Sequence, residues 1–141
     1  MQKSLQLLLV PALGLAVGAG GAFAVRVAQL AQESAAQRSS VFIPAGTILL
    51  PLVRPDGHLS GYVNVTTQIE VMTAAQDKVR ADMPLLLDAI NLRAYRTPLA
   101  TGADGQFPRI EAFRKLVLES AIATFGADRV RRAVIMQVQP T

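Results

Sequence analysis

The chain contains no cysteine and only one histidine, His58, among its 141 residues. Without cysteine it can have no disulfide framework, thiol nucleophile or thiolate metal site. His58 lies in the turn Arg54-Pro55-Asp56-Gly57-His58, with no second His or Cys to complete a ligand set, so it is a poor metal ligand. Charge is sparse as well, at 17% of residues. The net charge is +4, and from Val41 onward eleven Lys or Arg face nine Asp or Glu, a net of +2. That is too mild for nucleic acid, which calls for a concentrated basic face. Ser39, Ser40 and Ser60 have no base nearby, and Asp82 and Asp88 straddle Pro84 without forming a convincing acid–base dyad. Gly102 and Gly105 flank Ala103-Asp104, but no GK[ST] motif comes after them, so no phosphate-cradling loop is expected. The chain is therefore read as non-catalytic, with no cofactor, no metal and no small-molecule substrate.

The longest absence of charge runs from Ser4 to Val25. SLQLLLVPALGLAVGAGGAFAV has 22 residues and no Asp, Glu, Lys or Arg. At ~1.5 Å per helical residue it would measure about 33 Å, matching a hydrocarbon core of roughly 30 Å. Residues 1–26 are thus expected to form a transmembrane helix. A cleaved signal peptide ending at Ala22-Phe23-Ala24 is the rival reading, although the apolar run exceeds the usual ~7–15 residues. Small residues repeat at four-residue spacing, with Gly14, Gly18 and Ala22 on one stripe, which suits close helix packing. Lys3 and Arg26 nearly balance as orientation signals, and a cytoplasmic amino terminus is the preferred reading. Residues 27–40 then form a juxtamembrane stalk or tether rich in Ala and Gln.

Residues 41–141 are expected to form one small α+β domain. Val41 to Val53 has strand-forming residues interrupted by Pro44 and Pro51, which predicts an irregular or edge segment, most strand-like at Thr47 to Leu50. Leu59 to Met72 alternates, with Val63, Val65, Thr67, Ile69 and Val71 on one face; it predicts a half-buried strand paired across the Asp56-Gly57 turn, with a bend at Gly61. Thr73 can cap a helix. Val79, Met83, Leu86, Leu87, Ile90 and Ala94 then share one helical face, and Pro84 predicts a break after about Ala81. Arg96 to Pro108 reads as a 13-residue surface loop. Arg109 to Phe125 reads as a helix stopped by Gly126, with Glu111–Lys115 and Lys115–Glu119 pairs. Val130 to Gln139 predicts a final strand, with Val130, Arg132, Val134, Met136 and Val138 on one face. Arg129, Arg131 and Arg132 form the densest basic cluster, a candidate contact for an acidic partner or lipid headgroups.

Three segments carry a family resemblance: RPDGHLSGYVNVTTQIEV (Arg54 to Val71), ADMPLLLDAINL (Ala81 to Leu92) and VRRAVIMQVQ (Val130 to Gln139). In this order, behind a membrane helix and stalk, they resemble FliL, the single-pass inner-membrane protein family of the bacterial flagellar basal body. The family's helix pattern R-x-P-x-x-x-D-A-I appears here as Asp82 to Ile90, with Asp82 replacing the basic residue. The resemblance implies a periplasmic, stomatin/prohibitin-like domain on a single inner-membrane anchor. It also implies homo-oligomeric rings and association with flagellar stator and basal-body proteins in motility and chemotaxis. Exposed strand edges and the long loop are the expected contacts. A FliL-like subunit of another inner-membrane complex, or a secreted periplasmic binding domain released by signal cleavage, are the alternative functions.

Overall fold

The computed structural model describes residues 21–35 and 38–141. Two compact units divide between Arg38 and Ser39. In the first, residues 21–35 are helical (α1) and every side chain is exposed, including Phe23 and Leu30. Among the described residues no helix is long and apolar enough to cross a membrane. Residues 1–20, which hold most of the expected span together with Gly14 and Gly18, lie outside the described residues.

The second unit is an α+β domain built on a three-stranded antiparallel sheet. Its strands are β1 (Ser40–Val53), β2 (Leu59–Met72) and β5 (Val130–Pro140), in the order β1-β2-β5. The hairpin turn closes through Gly57 N–H donating to Arg54 O at 2.9 Å and Arg54 N–H donating to His58 O at 2.8 Å. Gly57 holds φ +86°, a conformation that favours glycine. The alternation in β2 is as the sequence predicts: Val63, Val65, Thr67, Ile69 and Val71 are buried, while Tyr62, Asn64, Thr66 and Gln68 are half-exposed.

Strand β1 is continuous over 14 residues and lies at the sheet edge, the edge reading of the two that the sequence offers. Pro44 pairs with Gln68 and Pro51 with Tyr62. A proline has no N–H to give β2, so both sit at pairs whose backbone nitrogen points away, toward the free edge. One extra residue, Ala45, bulges between them and is buried. A second irregularity places the extra residue Ser60 on β2 opposite Leu52 and Val53, one position from the expected bend.

Strand β5 departs further from simple alternation. Arg131 and Met136 are each extra against β2, because Val71 pairs with Val130, Glu70 with Arg132, Thr67 with Ile135 and Thr66 with Gln137. Each bulge switches the facing of the residues beyond it. The core side is therefore Val130, Ala133, Ile135 and Val138, not the expected set with Arg132, Val134 and Met136.

Helices cover the core face. A 3-10 turn, Thr73–Ala75, leads into α2 (Gln76–Ala81), succeeded by α3 (Met83–Ala94) with Pro84 in its first turn. A proline there costs no helical hydrogen bond, so the break falls where expected. Thr73 does not cap with its side chain; its Oγ1 instead accepts a 2.8 Å bond from Ser39 Oγ. Helix α4 (Ile110–Phe125) ends at Gly126, φ +100°, and buries Phe113, Leu116, Val117 and Ala121. On its surface Glu111 pairs with Arg114 at 2.7 Å in place of the expected Lys115, whereas Lys115–Glu119 forms at 3.8 Å. Residues 96–108 are not a structureless loop: β3 (Ala100–Thr101) and β4 (Phe107–Pro108) pair there, and Leu99 and Ala100 are buried.

Candidate interaction surface

The face of the sheet away from the helices gathers polar groups from all three strands. Glu70, on the central strand, is only 8% exposed. Ser40 Oγ donates to its Oε1 and Arg132 Nε donates to its Oε2. The Arg132 guanidinium also lies 5.5 Å from the centroid of Phe42, the β1 residue opposite Glu70. A cation over an aromatic face is attracted by the ring quadrupole. The Ser40 hydroxyl, and after it Arg132, hold the Glu70 carboxyl below its ordinary value of 4.5 against the upward push of burial. The arrangement clamps the first residue of β1 to β2 and β5.

The three arginines of the predicted cluster have different partners. Arg132 is engaged by Glu70 and Phe42. Arg131, the bulge residue, directs its Nε–H to Met72 Sδ at 3.2 Å. Arg129 lies in the turn before β5, where its carbonyl accepts from Met72 N–H at 2.8 Å. All three are nevertheless near the end of the sheet where the chain enters the domain, because Ser40 pairs with Met72 and Val130 with Val71.

A shallow groove of about 440 Å³ runs between the end of α3 and the middle of α4. Arg93, Arg96 and Lys115 line it, with Glu119 3.9 Å from Arg93 and 3.8 Å from Lys115. The neighbouring Tyr62, as an acceptor for the Tyr95 hydroxyl, raises that phenol above its ordinary value of 10.0. Beside the hairpin turn, Ser60 Oγ faces two carbonyls, Leu52 and Gly105, with one proton to give; it pins the tip of the 102–105 turn against β2. A Cβ on Gly105 would approach Ser60 Oγ to 2.9 Å, so this close contact requires glycine.

His58 is exposed, with Nδ1 3.3 Å from Asp56 Oδ1. The His58 backbone N–H is the main reason the Asp56 carboxyl sits below its ordinary value. Among the described residues no three His, Asp or Glu side chains gather to hold a metal. Asp82 forms a 2.7 Å pair with Lys78, and Asp88 is exposed on α3. Of the helix-packing stripe, Ala22 is described and exposed; Gly14 and Gly18 are not among the described residues.

Both sheet edges are protected. Pro44 and Pro51 remove donors from the outer side of β1, and two bulges interrupt β5. These are devices that discourage strand addition. They leave the expected edge contacts less suited to self-association than the sequence suggests. Sequence reasoning missed the Glu70–Arg132–Ser40 clamp, whose members lie 62 and 30 positions from Glu70, so no local pattern announces it.

Compared with protein-family models, with curated proteins and with solved structures, the chain gives no match.

Proposed function

We propose that this chain is a structural, self-associating accessory subunit of the bacterial flagellar motor, anchored in the inner membrane by its leading apolar segment. Its role is mechanical. The anchor sets position, and the domain associates with copies of itself around the stator units and braces them in their extended, active form.

The observation that carries this reading is the pairing of β5 with β2. Two of the three segments bearing the FliL resemblance are Arg54 to Val71 and Val130 to Gln139, and they are adjacent strands of one sheet. The third, Ala81 to Leu92, supplies the broken helix over that sheet. Two grooves of the domain, one between α3 and α4 and one beside Tyr62, are open and shallow, a shape better suited to protein contacts than to enclosing a small ligand.

Deleting the gene in its flagellated host and scoring swimming and swarming tests the reading. A loss in either, restored by the full chain, is expected. Normal motility in both would refute the motor assignment.

A further inference from the structure

The groove between α3 and α4 carries cations on its rim and aliphatic carbon on its floor. Ala112, Lys115, Leu116 and Glu119 recur at three and four along α4 and so line it from one helical face. Leu116 is buried and Ala112 half-buried. Arg93, Arg96 and Thr97 contribute the other wall, from the end of α3 and the turn after it. Both arginines and Lys115 are exposed. Long cationic side chains of this kind lay their methylenes along apolar surface and keep their charge in water.

Three cations share the groove with one carboxylate, a net charge of +2. Glu119 stands 3.9 Å from Arg93 and 3.8 Å from Lys115, beyond the roughly 3.2 Å at which an N–H donates a hydrogen bond. Arg96 forms no ion pair among the described residues. Elsewhere in the helical layer close pairs do form, Lys78 with Asp82 and Arg114 with Glu111, both at 2.7 Å. The dipole of α3 favours cations at its C-terminal end, which accounts for Arg93 and Arg96. It does not account for Lys115, which lies near the middle of α4 and lines the same groove. Excess positive charge gathered from two helices around an apolar floor is complementary to carboxylates flanking an apolar side chain.

We propose that the α3–α4 groove docks an acidic segment of a partner protein. Its apolar side chain lies over Ala112 and Leu116, and its carboxylates engage Arg96 on one side and Arg93 with Lys115 on the other. Arg96 is the main determinant, because a guanidinium offers two parallel donors to one carboxylate and no internal carboxylate competes for it. The end of α3 is far from where the chain enters the domain. Tyr95 neighbours Tyr62, at the hairpin end of β2, whereas Met72 at the other end pairs with Ser40. At ~3.3 Å per strand residue, Tyr62 and Met72 are about 33 Å apart. An extended partner segment reaches this end; a lipid headgroup beside Ser40 does not. Each exposed ion pair is a small effect, so one segment binds weakly and less tightly as salt rises. Docking there needs neither an anchor nor a ring, so the site stands or falls apart from the motor reading.

The full chain, isotopically labelled and held in uncharged detergent micelles, is titrated with a capped Gly-Glu-Leu-Glu-Gly peptide and followed by amide NMR. Saturable shifts are expected at residues 93–97 and 112–119, and not with the Gly-Gln-Leu-Gln-Gly analogue. Arg96→Gln is expected to weaken binding about tenfold. Arg96→Glu combined with Lys115→Glu is expected to release the acidic peptide and accept Gly-Lys-Leu-Lys-Gly instead, because the charges are exchanged. The substituted side chains are exposed, and unshifted resonances of β1 and β2 report that each variant is folded. Shifts that fail to saturate or spread over the whole surface, equal shifts with the glutamine analogue, or unchanged affinity in Arg96→Gln would overturn the proposal. Short-chain phosphatidylglycerol is titrated in parallel. Saturation of the groove at a lower concentration of that lipid than of the acidic peptide would assign the site to headgroups and overturn the proposal as well.

Discussion

On the helix-covered side of β2, Val65, Ile69 and Val71 are fully out of water and pack against Phe113 and Val117 of α4 and Leu86 and Ile90 of α3 within one core. On the other side the same strand presents Asn64, Thr66 and Gln68 half-exposed, with Glu70 clamped at one end. One strand, read with a period of two, serves two purposes. The covered side supplies the hydrophobic free energy, of order 25 cal/mol per Å² of apolar surface buried. The open side contributes cross-strand pairs, each a small effect. Burial here concentrates stability on one surface and leaves the other free to vary.

Substitutions on the two sides should separate sharply. Phe113→Ala removes the largest fully buried side chain and is expected to cost about 3–5 kcal/mol, measured as the shift in urea unfolding of the full chain. A loss below about 1 kcal/mol would mean that the covered side is not the stabilising one. Thr67→Val tests the single polar exception among the inward residues of β2. Thr67 Oγ1 is buried with no hydrogen-bond partner among the described residues, so an isosteric methyl in its place should stabilise the domain by about 1–2 kcal/mol. Destabilisation would show that the hydroxyl has a partner after all.

Glu70→Gln probes the open side through pH. The folded carboxyl titrates below its ordinary 4.5, so its contribution is complete above that value. It is lost as pH falls through the lower folded value. Unfolding midpoints of wild type and variant should therefore differ at pH 7 and converge in acid; a difference that stays constant with pH would remove the clamp from the account. Thr66→Ala has the smallest expected effect, within about 0.5 kcal/mol, because its 3.2 Å contact with Thr47 is exposed.

The parts legible in the sequence were those decided by local physics. The period of two in Leu59 to Met72, the backbone break forced by Pro84 and the glycine stop at Gly126 each act within a few residues. The Thr73 cap was a local inference that failed, because Ser39 arrives from another part of the chain and engages the hydroxyl. The candidate site was less legible. Arg129, Arg131 and Arg132 read as one basic patch, yet Glu70, Phe42 and Met72 engage two of their side chains.

The sequence by itself determined an α+β domain with one amphipathic central strand, because side-chain periodicity and backbone stereochemistry are properties of neighbouring residues. Tertiary structure alone decided that β1 could run through two prolines, since only its place at the sheet edge makes their missing donors harmless. It alone decided which residues of β5 face the core, since a bulge exists only against a partner strand. It also brought Ser40, Glu70 and Arg132 together. Pairings between distant segments depend on which surfaces the core buries, and no local pattern carries that information.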